Sequence, residues 1–214
     1  MCKIKILLVT LMLMVVHMSC MAMTMKNPVQ IGKIRFDLNR DTGFTFDGFS
    51  EINGYKHYSK VRKAYTNGYG KGTVLFNYDG EKLYVDYNIP ERWNLCRIGE
   101  ADNYIESDII DGQLFKILTS EGNSLYAMFS SYTYTDFVVF GKNSNGKFVK
   151  YIDSKNINKD YFGNHGNNYE SIESRGDTLV VKYRAFLKNK VEIGEFRFPW
   201  SESAQWFGIE KVIY

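Results

Sequence analysis

The segment from Gly54 to Tyr78 combines basic and aromatic side chains and contains no acidic residue. Tyrosine and arginine are favoured at interfaces because they are large, and either amphipathic or bidentate. A basic surface also attracts anionic partners. We therefore predict a binding surface for a protein, an anionic glycan or a lipid head group, formed by Tyr55, Lys56, Tyr58, Arg62, Lys63, Tyr65 and Tyr69. The alternative is a solvated loop, or an edge strand that its lysines protect from pairing.

A second candidate segment, residues 160–170, is rich in glycine and asparagine and is expected to be a loop. His165 is its one candidate general base, with Asp160 or Glu170 as the carboxylate that would orient the ring. We include His165 among the predicted binding residues. The alternative is an ordinary loop histidine with no role.

Other motifs that carry chemistry are missing from the sequence. Apart from His17 in the first 22 residues, the only histidines are His57 and His165, and no Cys pair or His-Glu-x-x-His accompanies them, so zinc is not expected. The chain has no Gly-x-Ser-x-Gly nucleophile elbow and no phosphate-binding loop. We predict no catalytic residue, no metal and no cofactor.

Asp37, Asn39 and Asp41 have the spacing of the first three ligands of a calcium loop. The sixth position of that loop requires glycine and the twelfth a bidentate glutamate, but here they are Thr42 and Gly48. A polar turn between two strands is the better interpretation.

The first 22 residues have the pattern of an export signal. Lys3 and Lys5 precede an apolar run, Ile6–Val16, which is much shorter than the roughly 20 residues of a membrane-spanning helix. Cleavage after Ala22 would place two small residues, Cys20 and Ala22, at the −3 and −1 positions that the processing enzyme recognises. The alternative is lipoprotein processing, with cleavage before Cys20 and acylation of its thiol. We predict an exported protein, periplasmic or secreted, that meets a membrane only through this possible lipid anchor.

Composition narrows the function classes. Residues 1–22 hold two of the 27 basic residues and none of the 24 acidic ones, so the remaining net charge is +1. Nucleic-acid binding is therefore not expected. Cys96 is the one cysteine outside the signal segment, so the domain has no internal disulfide to rely on. A buried structural thiol is the simplest interpretation of it.

The elements that position these residues are predicted to be strands. With 16 Tyr and 15 Phe the chain is rich in residues that pack well on sheets. Alternating apolar runs flank turn sequences typical of hairpins: Asp79-Gly80, Asp111-Gly112, Glu121-Gly122-Asn123, Asn143–Gly146, Arg175-Gly176-Asp177 and Lys188-Asn189. Short helical turns are possible at residues 91–96, 154–161 and 201–206.

We predict an all-β antiparallel meander, either a sandwich or a strongly curved sheet, with few short helices. An α+β arrangement is the alternative. Residues 23–30 would be a linker and 31–214 a single domain. Our leading hypothesis for function is a non-catalytic exported binding protein of a bacterial envelope, such as an inhibitor, an immunity-type protein or a ligand-recognising lipoprotein. A glycan hydrolase with paired carboxylates and a structural or assembly subunit are the alternatives.

Overall fold

The computed structural model describes residues 22–214 except 40–42, 53–54, 59–61, 67–68, 79–80, 90–94, 101, 108, 110–111, 131–135 and 164. Within 33–96 it describes the backbone, and side chains only at Leu83. The strands of these residues are β1 (Val29–Asn39), β2 (Gly43–Ile52), β3 (Tyr55–Tyr58), β4 (Arg62–Thr66), β5 (Tyr69–Tyr78), β6 (Glu81–Ile89), β7 (Leu95–Glu100), β8 (Asn103–Ser107), β9 (Gly112–Leu118), β10 (Ser124–Ser130), β11 (Phe137–Lys142), β12 (Phe148–Asp153), β13 (Gly166–Arg175), β14 (Thr178–Leu187), β15 (Lys190–Ser201), β16 (Trp206–Phe207) and β17 (Glu210–Ile213).

These strands form three antiparallel sheets. The first has the order β12-β11-β10-β9-β1-β2-β3, so β1 joins a hairpin with β2 to the later meander β9–β12. The second is the simple meander β4–β8. In the third, β13, β14 and β15 follow one another, and both β16 and β17 pair with β15. The prediction of an all-β antiparallel fold is confirmed.

The core lies between the first and third sheets, whose apolar faces pack against each other. Leu125, Ala127 and Phe129 of β10 point into this core, and Tyr126 and Met128, which are also buried, point to the opposite face because successive strand residues alternate. Phe137 of β11 spans the two layers, with its ring centroid 4.6 Å from that of Tyr169 and 6.2 Å from that of Phe198. Several of the aromatic residues in the described part of the chain lie in this core, where buried rings contribute strongly to stability.

One short helix and one π-helical turn interrupt the strands. Helix α1 (Ser154–Ile157) begins at Asp153, whose carboxylate accepts a hydrogen bond from the Lys155 amide at 3.1 Å. The π-helical turn (Asn158–Phe162) follows directly, and Gly163, with a φ of 60°, ends it. Helical structure at 154–161 was predicted, whereas residues 202–205 form a turn rather than a helix.

Most of the predicted hairpins are present, but the one at Asp111-Gly112 is wrong. The strands on either side of it, β8 and β9, belong to different sheets. Gly112 is instead the first residue of β9, opposite Ser130 and Ile34. A Cβ at this position would lie 2.3 Å from the Phe129 carbonyl oxygen, so glycine is required by a close backbone approach and not by a turn.

Two further expectations differ from the structure. Residues 23–30 were predicted to be a linker, but Met23 and Met25 are buried in the core, and β1 begins within this range, at Val29. Residues 160–170 were predicted to be a loop, but they contain the end of the π-helical turn and the start of β13. The first error arises because a short segment that contacts distant parts of the chain has no local signature of its own, and the second because glycine and asparagine at the start of β13 resemble a loop sequence.

Candidate ligand-binding cleft

The predicted basic and aromatic surface lies on strands and not in one loop. Tyr55, Lys56 and Tyr58 are on β3, Arg62, Lys63 and Tyr65 are on β4, and Tyr69 begins β5. Among the described strands, β3 is the last of the first sheet and β4 the first of the second. Their side chains lie outside the described residues, so the binding surface stays a prediction. Cys20 and the rest of the proposed signal before Ala22 also lie outside them.

His165 is exposed and follows the π-helical turn, where its amide donates to the Phe162 carbonyl oxygen at 3.1 Å. Neither predicted carboxylate is recorded in contact with its ring. Glu170 accepts a hydrogen bond from Arg184 at 3.1 Å, and Asp160 faces a cleft that His165 does not line. Within the described part of the chain, the orienting pair expected for a general base is therefore not assembled.

A cleft of about 480 Å³ lies at one end of the core. A volume of this size is typical of sites for small molecules. Three stretches of chain line it: the end of β12, helix α1 with the π-helical turn, and the region from β15 through Ile209. The lining residues are Tyr151, Ile152, Asp153, Asn156, Ile157, Asp160, Tyr161, Phe198, Trp206, Phe207, Gly208 and Ile209.

Aromatic rings dominate the cleft, and two of them are open to solvent. Trp206 is 44% exposed and Tyr161 is 37% exposed. Behind Trp206 lies Tyr151, with ring centroids 5.0 Å apart, and Tyr151 in turn contacts Phe207 at 5.8 Å. These contacts stabilise the exposed ring of Trp206, because aromatic pairs at such distances contribute attraction in addition to that from buried surface area.

The tight turn before Trp206 fixes the position of its ring. Gln205 has a φ of 49°, which is uncommon for a residue other than glycine. Its side-chain amide donates to the backbone oxygen of Glu202 at 3.0 Å, and the Ala204 amide donates to the Ser201 hydroxyl at 3.3 Å. Strained backbone held in this way is frequent where a side chain must be presented accurately.

The two carboxylates of the cleft differ in their partners. The Asp153 carboxylate caps α1 and also binds the Lys150 ammonium group at 2.9 Å, so both of its oxygens are engaged. Asp160 is exposed and has no recorded partner among the described residues. None of the described lining residues is basic. The cleft therefore presents one uncompensated negative charge beside exposed aromatic rings.

On another side of the π-helical turn, the protein already holds a cation among aromatic rings. The Lys211 ammonium group lies 4.9 Å from the centroid of the Phe162 ring, 5.6 Å from that of Tyr183 and 5.8 Å from that of Tyr161. It also binds the buried carboxylate of Glu192 at 2.6 Å. We call this group the Lys211 cage. Burial alone would raise the pKa of the Glu192 carboxyl, but hydrogen bonds from Lys211, Tyr183 and Lys190 lower it overall.

A second buried carboxylate, Glu195, lies on the opposite face of β15. Its side chain is fully buried and accepts hydrogen bonds from Arg175 at 3.0 and 3.1 Å, from Arg197 at 2.6 Å and from the Tyr214 hydroxyl. Burial alone would raise the pKa of Glu195, but these hydrogen bonds, with Tyr214 and Arg197 contributing most, outweigh it and lower the pKa to about 2. We call this group the Glu195 cluster.

Two features are absent from the described residues. No three His, Cys, Asp or Glu side chains lie close enough together to hold a metal ion. In the same part of the chain, no helix has both the length and the apolar character needed to cross a membrane.

Comparison of the chain with protein-family models, curated proteins and solved structures found no match. The site must therefore be interpreted from its own chemistry. Sequence reasoning singled out Asp160 but missed Trp206, which carries the exposed face of the cleft. A lone tryptophan after a polar turn gives no local signal of a site. The tyrosines that line the cleft with it, Tyr151 and Tyr161, lie about 50 positions earlier in the sequence.

Proposed function

We propose that this chain is an exported, non-catalytic binding protein whose cleft binds a small ligand that carries an ammonium group on an apolar stem. The observation that carries the proposal is the 480 Å³ cleft, in which exposed Trp206 and Tyr161 rings accompany the uncompensated carboxylate of Asp160. Export is supported by the signal pattern of the first 22 residues.

The ligand's charge follows from electrostatics. The face of an aromatic ring is negative, so a cation within about 6 Å of its centroid is attracted, most strongly by tryptophan. A nearby carboxylate adds to this attraction, and quaternary ammonium groups are commonly recognised in this way. The Lys211 cage is an internal precedent, since this protein there holds its own ammonium group with rings and a carboxylate. An anionic ligand would be repelled by Asp160.

The absence of catalysis is supported by the state of the two carboxylates. A glycosidase needs one as acid and the other as nucleophile or base. Asp153 already caps a helix and binds Lys150, so each of its oxygens accepts a structural hydrogen bond. The described lining residues include no second carboxylate without such a contact.

The proposal is tested by titrating the protein with choline, with its neutral isostere 3,3-dimethylbutan-1-ol, with an N-acetyl-lysine amide and with methyl glucoside. Tryptophan fluorescence and isothermal calorimetry report binding. We expect choline or the lysine derivative to bind at least tenfold more tightly than the neutral isostere, because cation–π attraction and the Asp160 charge act only on the cation. Comparison of the two cations distinguishes a quaternary head group from a lysine-like side chain.

Variants assign the binding to the cleft. Trp206→Ala should weaken cation binding roughly tenfold or more, and Asp160→Asn by a smaller factor. Phe186→Ala is the matched control, since Phe186 is an exposed aromatic residue on β14 that does not line the cleft. Tighter binding of methyl glucoside than of the cations would overturn the ligand class. Catalytic turnover that disappears in Asp160→Asn would overturn the non-catalytic assignment.

A further inference from the structure

Met23 is buried, and its backbone nitrogen is bound by a distant carboxylate. The Met23 side chain is 4% exposed and belongs to the main core, whereas Ala22, the residue before it, is exposed. The Met23 nitrogen donates to Glu202 Oε1 at 2.9 Å, which is a contact across 179 residues. Met23 is therefore fixed to the core by its side chain and to Glu202 by its nitrogen, whereas Ala22 beside it is exposed.

The partners of Glu202 are neutral in the uncleaved chain. Its carboxylate accepts from the Met23 amide through Oε1 and from the Gln205 side-chain amide through Oε2 at 3.2 Å. No cation is recorded in contact with it among the described residues. Because both donors are neutral, no positive charge balances the Glu202 carboxylate. A hydrogen bond to a carboxylate is shorter and stronger when its donor is a cation.

Hydrolysis of the Ala22–Met23 bond would supply that counter-charge. Water adds across the C–N bond, so that Ala22 leaves with a carboxylate and Met23 keeps an α-amino group. This group has an ordinary pKa of about 7.7–8.0 and is protonated at neutral pH. The same nitrogen, at the same position, then changes from an amide with one hydrogen to an ammonium group with three.

We infer that the Ala22–Met23 bond is the processing site of this chain and that Glu202 binds the resulting Met23 ammonium group in the mature protein. The inference rests on the proposed export, since the cut is the one that a signal peptidase would make. It excludes the alternative cleavage before Cys20, which would leave the Met23 nitrogen as an amide and Glu202 without a cation.

The residues after Met23 hold its nitrogen in place. The Thr24 amide donates to the Ser120 hydroxyl at 2.9 Å, and the Ser120 amide donates to the Thr24 carbonyl oxygen at 2.7 Å. The Met25 amide donates to the Gly176 carbonyl oxygen at 2.8 Å, and Met25 forms an isolated bridge with Thr119. These bonds reach both the first and the third sheet, so the new terminus would not be free to leave Glu202.

The first test is expression of the full chain in a bacterium that exports it, followed by intact mass measurement and N-terminal sequencing. A protein that begins at Met23 supports the inference. A protein that begins at an acylated Cys20, or at any other residue after removal of the signal, overturns it while export survives. A chain that keeps residues 1–22 in the cytoplasm overturns both this inference and the proposed export.

The second test measures the ion pair in the processed protein. Glu202→Gln keeps two hydrogen-bonding atoms and removes the charge, and Glu121→Gln, in an exposed turn, is the control. We expect Glu202→Gln to raise the unfolding equilibrium constant about fivefold at pH 6. Because the ammonium group is charged only below its pKa, this difference should disappear as the pH rises past about 9. A pH-independent difference would show a neutral hydrogen bond and overturn the ion pair.

Discussion

The charged groups of β15 and the cleft use the same residue types in opposite ways. In the Lys211 cage and the Glu195 cluster, buried carboxylates are matched by cations of the same chain. In the cleft, Asp160 and the exposed ring of Trp206 have no such cation among the described lining residues, and only the Tyr161 ring is shared with the Lys211 cage. The difference supports our proposal that the cleft binds a ligand, whereas the first two groups stabilise the fold. Changes in the two regions should therefore affect different measurements.

The largest loss of stability is expected for Glu195→Ala. The substitution removes the acceptor of hydrogen bonds from Arg175, Arg197 and Tyr214, and leaves two guanidinium groups close together. Breaking a buried ion pair by removing one partner is strongly destabilising, so we expect a decrease of about 3 kcal/mol in the free energy of unfolding. Urea denaturation measures it. Glu173→Ala, at the exposed end of the same ion-pair group, should cost less than about 1 kcal/mol.

Acid should weaken the Glu195 cluster in the wild-type protein. The pKa of Glu195 is about 2 in the folded state and roughly 4.3 in an unfolded chain. A carboxyl group with a lowered pKa contributes stability that is complete above the unfolded value and is lost as the pH falls towards the folded one. Urea midpoints between pH 6 and pH 2 should fall more steeply for the wild type than for Glu195→Ala. Parallel curves for the two proteins would contradict the assigned pKa.

A smaller effect is expected from Glu192→Gln in the Lys211 cage. The change keeps the shape but removes the charge that pairs with Lys211, whose side chain is 19% exposed and can partly regain water. We expect a loss of about 2 kcal/mol in the free energy of unfolding. Lys190→Gln is the matched control, because Lys190 is 61% exposed and contacts the same carboxylate at 3.2 Å. That control should change stability by less than about 0.5 kcal/mol. Equal losses in the two variants would remove the distinction between buried and exposed partners.

Trp206→Ala should cost about 1 kcal/mol, since the exposed ring contributes mainly its contact with Tyr151. Thermal or urea unfolding would measure this loss, and calorimetry would measure the loss of cation binding of roughly tenfold or more. If Trp206→Ala unfolded the protein instead, the cleft would be part of the structural core and the comparison would fail.

The smallest effect on stability is expected for Asp160→Asn, within about 0.5 kcal/mol of the wild type. Asp160 is exposed and has no recorded partner in the described part of the chain, so neutralising it removes no stabilising contact. Its effect should be visible only in cation affinity. A clear decrease in the urea midpoint would show that Asp160 serves the fold.

Local sequence signals were sufficient for most of the fold. Asn143–Gly146 and Arg175-Gly176-Asp177 each join strands that pair with their immediate successor, so the turn residues carry the whole prediction. Gly112 was misinterpreted because a close approach between distant strands selects glycine just as a turn does. The division of the strands into separate sheets also depends on distant pairing, such as that of β1 with β9.

The candidate site was less predictable than the fold for a related reason. Asp160 was singled out as a partner of His165, but its position in the cleft depends on the π-helical geometry of residues 158–162. The sequence predicted helical structure at 154–161 but not this geometry. The position of Trp206 in the cleft depends on its contact with Tyr151 and on the turn at Gln205, which has a positive φ. Contacts between side chains from distant strands are not encoded by local spacing, so they could not be predicted from it.

The position of β1 in the first sheet has a kinetic consequence. Its pairing with β9 closes a loop of roughly 80 residues, whereas β13, β14 and β15 need only tight turns to find each other. The third sheet should therefore acquire protection from hydrogen exchange early in refolding, and the pairing of β1 with β9 should acquire it late. Until that pairing forms, the facing edges of β1 and β9 stay unpaired, and this interval is when the chain is most exposed to aggregation.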